Sequence, residues 1–263
     1  MIVLRNVKKV YGTGKQALDG VTLGVPRGDF VFLVGGNGAG KSTLLKLLIR
    51  AETASSGVLI VAGHDLTQLP ERRVPWFRQQ IGIVFQDIRL FADKTIYENV
   101  AFSLQVSGAP RRGSTRDLVM EALELVGLTG DARRFPRQLS GGEQQRAAIA
   151  RAIVRSPQIL IADEPTANLP PDASWQIVQL LADINRRGVT TLVATHDRDV
   201  VNGLKRRVVE LAGGHLVRDE RHGAFGSSAA YQAVPAARTG AATVASVSGA
   251  FPVLSPVLVG AGA

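Results

Sequence analysis

Short apolar runs alternate along the chain with longer amphipathic stretches. The runs that predict strands are Phe30–Val34, Gly57–Ala62, Ile81–Phe85, Ile159–Ala162 and Val189–Thr195. The stretches that predict helices are Lys41–Arg50, Leu118–Val126, Glu143–Val154 and Asp172–Arg187. Strands that alternate with helices in this way favour an α/β fold with a mainly parallel core sheet.

Three regions depart from this alternation. Residues 2–11 and 21–25 have strand-like patterns on either side of a glycine-rich turn, which predicts an N-terminal antiparallel β layer. Residues from about 88 to 155 are mostly helical, and we expect them to form a lobe inserted into the sheet. The runs Arg207–Leu211 and His215–Arg218 predict a hairpin that closes a single domain over residues 1–222.

The last 41 residues differ in composition from the rest of the chain. They contain no acidic residue and no lysine, and Arg238 is their only arginine. Alanine, glycine, serine and valine predominate, with scattered prolines. We therefore expect residues 223–263 to be a low-complexity, poorly ordered tail.

Composition and charge exclude several classes of protein. With no cysteine among 263 residues, the chain has neither a disulfide framework nor a thiolate metal site. No run of 18 apolar residues predicts a membrane span, and the N-terminus does not resemble an export signal. The net charge of +9 includes scattered arginine pairs, which favour solvated helix faces or contact with anionic lipid. Without an aromatic-rich binding motif, we expect no specific nucleic-acid partner.

A phosphate-binding loop follows the first central strand. The sequence GGNGAGKST comprises Gly35, Gly36, Asn37, Gly38, Ala39, Gly40, Lys41, Ser42 and Thr43. Glycines allow successive backbone N–H groups to converge on phosphate oxygens, and the following helix adds its positive end. We expect Lys41 to reach the β- and γ-phosphates of ATP and the Ser42 hydroxyl to coordinate Mg²⁺.

Two carboxylates end a later buried strand, in the sequence QILIADEPT. Open α/β sheets bind ligands at the carboxyl ends of their strands, so both side chains should meet the loop. We expect Asp163 to hold Mg²⁺, directly or through water. Glu164 would orient and polarise the water that attacks the γ-phosphate.

A third motif, LSGGEQQR, opens a helix between the other two. Serine is a good helix N-cap, and the same features form a second phosphate-binding helix end at Ser140, Gly141, Gly142 and Glu143. Read with the loop and the acidic strand, this string resembles the signature of ABC-type ATPases. Residues 1 to about 220 resemble an ABC nucleotide-binding domain, a P-loop NTPase fold. In that family two domains pack head-to-tail, which implies a homodimer with two shared sites.

The resemblance assigns roles to three more residues. Tyr11 matches the aromatic residue that stacks on adenine. Gln86, after the strand IGIVF, matches the glutamine that contacts Mg²⁺ and the attacking water. His196, at the end of VTTLVATH, matches the histidine that contacts the γ-phosphate.

The loop after the acidic pair departs from the family pattern. It reads Ala167-Asn168-Leu169-Pro170-Pro171, and Pro170 stands where the family usually has an aspartate. That aspartate helps to link the two sites across the dimer. We therefore expect turnover to be slow but not absent, because every γ-phosphate contact remains.

Three longer strings narrow the resemblance to the cell-division branch of the family. They begin at Gln16, Val74 and Phe135, and they contain the phosphate-binding loop, Gln86 and the LSGGEQQR motif, respectively. The resemblance implies a peripheral ATPase on the cytoplasmic face of the bacterial inner membrane at the division septum. Its partner would be an integral membrane protein that controls peptidoglycan hydrolases, and cytoplasmic division proteins are further candidates. The sequence leaves open a lipoprotein-releasing or macrolide-export ATPase, a soluble ABC protein, and an ATP-binding scaffold with weak hydrolysis.

Overall fold

The computed structural model of the protein describes residues 1–106 and 114–225. In chain order, the strands are β1 (Ile2–Val10), β2 (Gln16–Val25), β3 (Phe30–Val34), β4 (Ser56–Val61), β5 (His64–Asp65), β6 (Ile81–Val84), β7 (Ile159–Asp163), β8 (Thr190–Ala194), β9 (Arg207–Ala212) and β10 (His215–Glu220). The α-helices are α1 (Lys41–Leu48), α2 (Val74–Arg78), α3 (Ile96–Gln105), α4 (Thr115–Leu125), α5 (Gly141–Ile153), α6 (Pro171–Arg186) and α7 (Arg198–Leu204).

The strands form two sheets. The larger has the order β10-β9-β3-β8-β7-β6, and all its pairs are parallel except β10 with β9. The smaller has the order β2-β1-β4-β5 and is antiparallel throughout. This arrangement confirms the predicted α/β fold with a mainly parallel core sheet and an N-terminal antiparallel layer.

Hydrophobic clusters cover both faces of the larger sheet. In β3, Phe30, Phe32 and Val34 belong to one cluster, together with residues of α3, α5 and α6. Val31 and Leu33 point to the opposite cluster, which includes residues of α1 and the antiparallel layer. Because successive strand residues point to opposite faces, β3 must be apolar at every position, as its sequence is.

Capping boxes begin two of the three helices between β6 and β7. Thr95 and Glu98 cap α3, and Ser140 and Glu143 cap α5, each by reciprocal side-chain and backbone hydrogen bonds. The helix between them, α4, begins after Ser114, whose hydroxyl accepts a hydrogen bond from an amide in the first turn. The three helices pack against one another, so the predicted helical segment is present.

The structure departs from the predicted elements at short segments. β2 begins at Gln16, five residues before the predicted start, because pairing with β1 continues up to the turn. The short helices α2 and α7 were not predicted. The boundaries of the inserted helical lobe at about 88–155 and of the domain at 1–222 remain predictions. Residues 226–263, most of the predicted tail, lie outside the described residues. So does one of the scattered arginine pairs, Arg111-Arg112.

Within the described ranges 1–106 and 114–225, no helix combines the length and the hydropathy that a membrane-spanning helix requires.

Candidate functional site

The parallel register brings four strand ends to one edge of the larger sheet. Leu33 in β3 and Asp163 in β7 both pair with Ala194 in β8, and Val84 in β6 pairs with Ala162 in β7. The segments that follow these strands therefore emerge side by side. They supply most of the lining of one cleft, which consists of Tyr11, Lys15, Ala17, Gly36–Thr43, Gln86, Asp163, Glu164 and His196.

Lys41 is the first residue of α1, and its side chain reaches back to the loop that precedes the helix. Its ammonium donates hydrogen bonds to the carbonyl oxygens of Gly35 and Gly36, at 2.8 and 3.3 Å. The loop thus wraps around the lysine side chain and holds its charge at the floor of the cleft, beside the N-terminus of α1. A phosphate group at this point would meet a cation and a positive helix end together.

Two glycines of the loop cannot be replaced without strain. Gly35 has φ +145°, and a Cβ atom there would lie 2.2 Å from the carbonyl oxygen of Leu211. Gly40 has φ +108°, and its Cβ would lie 2.7 Å from the carbonyl oxygen of Ala17. The loop is therefore held close to β2 and β9, and glycine is required by contact as well as by backbone conformation.

The acidic pair occupies the end of β7. Burial and the neighbouring Glu164 carboxylate raise the pKa of Asp163, and the Lys41 charge opposes that rise. Glu164 has a left-handed backbone with φ +46°, and its amide donates to the Ala194 carbonyl, which turns the side chain into the cleft. A cation beside Asp163 would relieve its unfavourable ionisation.

Glu164 is held by His196, the second residue after β8. His196 Nδ1 lies 2.9 Å from Glu164 Oε2, and the His196 amide donates to the same oxygen at 3.3 Å. The Glu164 side chain is 12% exposed and the His196 side chain 72% exposed. The imidazole therefore covers the carboxylate at the mouth of the cleft and fixes its orientation.

Ser42, Gln86 and Asp163 form an oxygen-rich wall. The three residues line the main cleft and also a second cavity, between α1 and the segment after β6. A hydroxyl, an amide oxygen and one carboxylate are hard ligands of the kind that Mg²⁺ uses when substrate phosphate completes its shell. Among the described residues, no group of three or more His, Cys, Asp and Glu could hold a metal ion by itself.

The other end of the cleft carries Tyr11. Its hydroxyl lies 3.2 Å from the Thr43 hydroxyl, and the Lys9 ammonium stands 4.9 Å from its ring centroid. The ring is thus fixed beside the first turn of α1. Sequence reasoning missed Lys15 and Ala17, which also line the cleft. A lysine within a glycine-rich turn was the only signal for Lys15, and nothing marked Ala17.

The signature residues do not join this cleft. Ser140 and Gly141 are exposed, and Gly142 and Glu143 are partly exposed, at the start of α5. The Ser140 amide and hydroxyl both donate to the Glu143 carboxylate at 2.7 Å, which lowers the pKa of Glu143. One chain therefore holds a phosphate cradle and, separately, an exposed helix end of the kind that binds phosphate.

The loop with the unusual prolines lies against that helix end. A Cβ added at Gly141 would lie 3.4 Å from Leu169 Cδ2, and one at Gly142 would lie 3.5 Å from Ala173 Cβ. Pro170 is exposed at the N-cap of α6, where it supplies no side-chain cap. The position is thus available to a partner surface but carries no polar group.

Fold and site together define an ATP-binding cassette. The model of the ABC transporter family matches residues 18–167. A dimeric ATP-binding cassette, MJ0796, solved in a post-hydrolysis state with ADP and Pi, is 34% identical with a TM-score of 0.76, covering 86% of this chain and all of that one. CbiO1 from Clostridium perfringens, part of the cbiONQ transporter complex, is 31% identical with a TM-score of 0.78, covering 84% and 88%.

Curated relatives give a narrower assignment. The cell division ATP-binding protein FtsE is 51% identical in Mycobacterium tuberculosis, 48% in Escherichia coli and 46% in Bacillus subtilis. Each alignment covers 86% of this chain and 98–99% of the relative. The chain belongs to the FtsE family of ABC-type ATPases, as the sequence motifs predicted.

Proposed function

We propose that two copies of this chain hydrolyse ATP at two shared sites in a bacterial cell-division complex. One observation carries the proposal: the cradle and the acidic residues line one cleft, whereas the signature helix presents its N-terminus elsewhere on the surface. A second copy packed head-to-tail would bring its Ser140 to the γ-phosphate held at Lys41. The dimeric relative bound to ADP and Pi supports this arrangement.

Each residue of the cleft then has a defined task. The Tyr11 ring stacks on adenine, while Lys41 and the amides of residues 36–43 bind the phosphates. Ser42, Gln86 and Asp163 would hold Mg²⁺, which neutralises charge on the phosphate oxygens when bound.

The Glu164 carboxylate receives the proton of the attacking water. His196 occupies one of its oxygens, so the other is left to accept that proton. His196 also faces the mouth of the cleft, where the γ-phosphate would lie. Across the dimer, the amides of Gly141 and Gly142 would stabilise charge on that phosphate.

The membrane partner would dock in a groove beside the cleft, which we call the aromatic groove. Its apolar lining includes Phe85, Phe91, Phe102 and Val106, of which Phe85 and Phe91 are each 38% exposed and Val106 is 68% exposed. Leu90, the neighbour of Phe91 in the sequence, is partly buried and packs against the core. Such a groove suits an amphipathic helix of a membrane protein.

By family, the partner is an FtsX-type integral membrane protein, and the complex would regulate septal peptidoglycan hydrolysis. The chain would then lie on the cytoplasmic face of the inner membrane at the septum. Other cytoplasmic division proteins are candidates for the faces that the dimer leaves free. Because Phe85 immediately precedes Gln86, occupation of the aromatic groove and of the ATP site can affect one another.

The test compares the wild-type chain with Glu164→Gln. With ATP and Mg²⁺, we expect Glu164→Gln to lose hydrolysis by ~100-fold or more and to accumulate as a dimer in light scattering. Pull-down from membranes should recover an FtsX-type protein with both chains. A monomeric Glu164→Gln chain would contradict the shared sites, and recovery of an export or lipoprotein-releasing permease would move the chain to the transport branch.

A second candidate function is an ATP-binding scaffold with weak hydrolysis. Pro170 favours it, because this position carries no carboxylate to link the two sites. Cell division supported fully by Glu164→Gln would select the scaffold, whereas failure of division would show that turnover is needed.

A further inference from the structure

The aromatic groove is lined by positive side chains and, in the described part of the chain, by no acidic one. Three of its lining residues are arginines, at positions 78, 151 and 155, and no aspartate or glutamate lines it among the described residues. Apolar side chains surround these cations, including Phe85, Phe102 and Val106. A guanidinium in such surroundings loses hydration and is unfavourable unless an anion compensates it.

Arg151 is the arginine whose buried charge most clearly lacks an acidic neighbour among the described residues. It is partly buried on α5, and burial lowers the pKa of its guanidinium. It forms no ion pair with any residue in the described ranges 1–106 and 114–225. Within the same ranges, its side chain donates one hydrogen bond, from Nη1 to the carbonyl oxygen of Arg89. Several guanidinium N–H groups are therefore available to a bidentate acceptor.

Arg78 provides a contrast within the same groove. Its side chain is exposed, and Nε and Nη2 donate to the carbonyl oxygens of Ile49 and Arg50, both at 3.0 Å. These bonds tie Arg78 to the end of α1. An incoming anion would gain less from Arg78 than from Arg151.

The segment bonded to Arg151 is the one that leaves the ATP site. Arg89 lies three residues after Gln86, and its guanidinium stands 4.9 Å from the Phe85 ring centroid. Phe91 lies two residues after Arg89 and is held by the buried Asn99 side chain. That side chain accepts a hydrogen bond from the Phe91 amide at 2.7 Å and donates one to the Phe91 carbonyl at 3.1 Å. Arg151 and Asn99 thus hold residues 89–91 against α5 and α3, at the edge of the aromatic groove.

We propose that Arg151 is the anchor for a carboxylate on the docking segment of the membrane partner. This inference rests on the proposed function, in which the aromatic groove receives that segment. The partner segment would carry an aspartate or glutamate flanked by apolar residues, which contact Phe85 and Phe91. The ion pair would form next to the Arg89 carbonyl, so docking would bear directly on the segment that begins at Gln86.

The experiment measures the affinity of the chain for the FtsX-type partner in lipid nanodiscs. We expect Arg151→Met, which keeps most of the aliphatic length, to weaken binding by ~30-fold or more, the scale of removing one member of a buried charge pair. Arg78→Met, the matched control, should stay within about threefold, as for a more exposed charge. Thermal unfolding of each variant checks that the fold is retained.

Charge reversal then identifies the acidic residue on the partner. Each aspartate and glutamate of its cytoplasmic segments is replaced in turn by arginine and tested with the wild-type chain and with Arg151→Glu. We expect one replacement to weaken the wild-type complex and to restore binding to Arg151→Glu. This experiment remains a test even if Arg151→Met fails to fold, because it also uses the wild-type chain. If none of the acidic replacements weakens binding to the wild-type chain, the inference is overturned.

Two further variants separate this inference from the proposed function. If Phe85→Ala and Phe91→Ala abolish binding while Arg151→Met binds as wild type, the partner uses the groove but Arg151 is not its anchor. If none of these variants changes binding, the aromatic groove is not the docking site and the proposed function fails there. If Arg151→Met lowers binding to anionic nanodiscs without the partner, the anion is a lipid phosphate and the inference is overturned.

Discussion

The two ends of this chain that we propose bind phosphate are built in opposite ways. The loop before α1 is enclosed, and contacts with Ala17 and Leu211 require its glycines at positions 35 and 40. The start of α5 is exposed and closes on itself through the capping box of Ser140 and Glu143. The first end depends on long-range packing, whereas the second is complete as local structure. The difference suits a site whose halves come from two molecules.

The two ends also differ in how each stabilises the charge of its acidic residue. Asp163, beside the loop, has a raised pKa because burial disfavours its charge. Glu143, at the signature helix, has a lowered pKa because Ser140 hydrogen-bonds its carboxylate. The ionised carboxylate of Asp163 is thus unfavourable until a cation is bound, whereas that of Glu143 is already stabilised by hydrogen bonds within its own helix end.

Mixing two inactive variants gives the largest expected effect. Lys41→Ala disables the cradle and Ser140→Arg disables the signature, and we expect each alone to lose hydrolysis by ~100-fold or more. An equimolar mixture should recover about a quarter of wild-type activity, because half of the dimers then contain one intact site. The measurement is phosphate release. No recovery from two folded variants would show that the sites are not shared.

A matched pair of glycine substitutions tests the contrast in construction. Gly40→Ala would place Cβ 2.7 Å from the Ala17 carbonyl oxygen at φ +108°, so we expect lower thermal stability and loss of nucleotide binding. Gly142→Ala would place Cβ 3.5 Å from Ala173 Cβ, an ordinary contact. It should keep stability and nucleotide binding but lose hydrolysis by ~10-fold through poorer fit across the dimer. Equal stability losses in both variants would contradict the contrast.

Restoring an acid at position 170 should raise turnover. An aspartate at the N-cap of α6 would supply the missing inter-site carboxylate and would also stabilise the helix by about 1 kcal/mol. We expect Pro170→Asp to increase hydrolysis by a few-fold, roughly 1 kcal/mol in the barrier. Pro170→Ala separates loss of the ring from gain of the carboxylate. An unchanged rate in Pro170→Asp would mean that the departure from the family pattern is neutral.

The smallest expected effect concerns the pH dependence of stability. Because the folded-state pKa of Asp163 is raised, its contribution to stability is present below its ordinary pKa and is lost as pH rises through the folded-state value. In nucleotide-free, Mg²⁺-free buffer at pH 7, Asp163→Asn should therefore unfold a few degrees above wild type, roughly the effect of 1 kcal/mol. The gap should close as the pH is lowered.

Glu143→Gln is the control of opposite sign. The folded-state pKa of Glu143 is lowered, so its stabilising contribution is present above the ordinary pKa and is lost as pH falls through the folded-state value. The variant should be the less stable one at neutral pH, with the difference shrinking in acid. If Asp163→Asn is also less stable at pH 7, the electrostatic contrast between the two ends is wrong.

Features that depend on local sequence could be predicted from it. The apolar runs predicted the central strands, and three motifs predicted the cradle, the acidic pair and the signature helix. The resemblance added Tyr11, Gln86 and His196, and all three line the cleft.

What depended on pairing and packing was not predictable. The early part of β2 exists because β1 lies beside it, and α7 is too short for its spacing to stand out. Lys15 and Ala17 reach the cleft only because the smaller sheet folds over the loop. The surroundings of Arg151 were not predictable either, because the apolar residues around it are brought together only by the fold.

The left-handed backbone of Glu164 bears on how this protein could be engineered. A non-glycine residue with φ +46° costs about 1 kcal/mol or more, so glycine at this position would relax the turn. Stability-guided redesign would therefore favour removing the carboxylate that we propose accepts the proton of the attacking water. Position 164 should be kept fixed in any thermostabilised version, and gains should be sought on surfaces that no partner contacts.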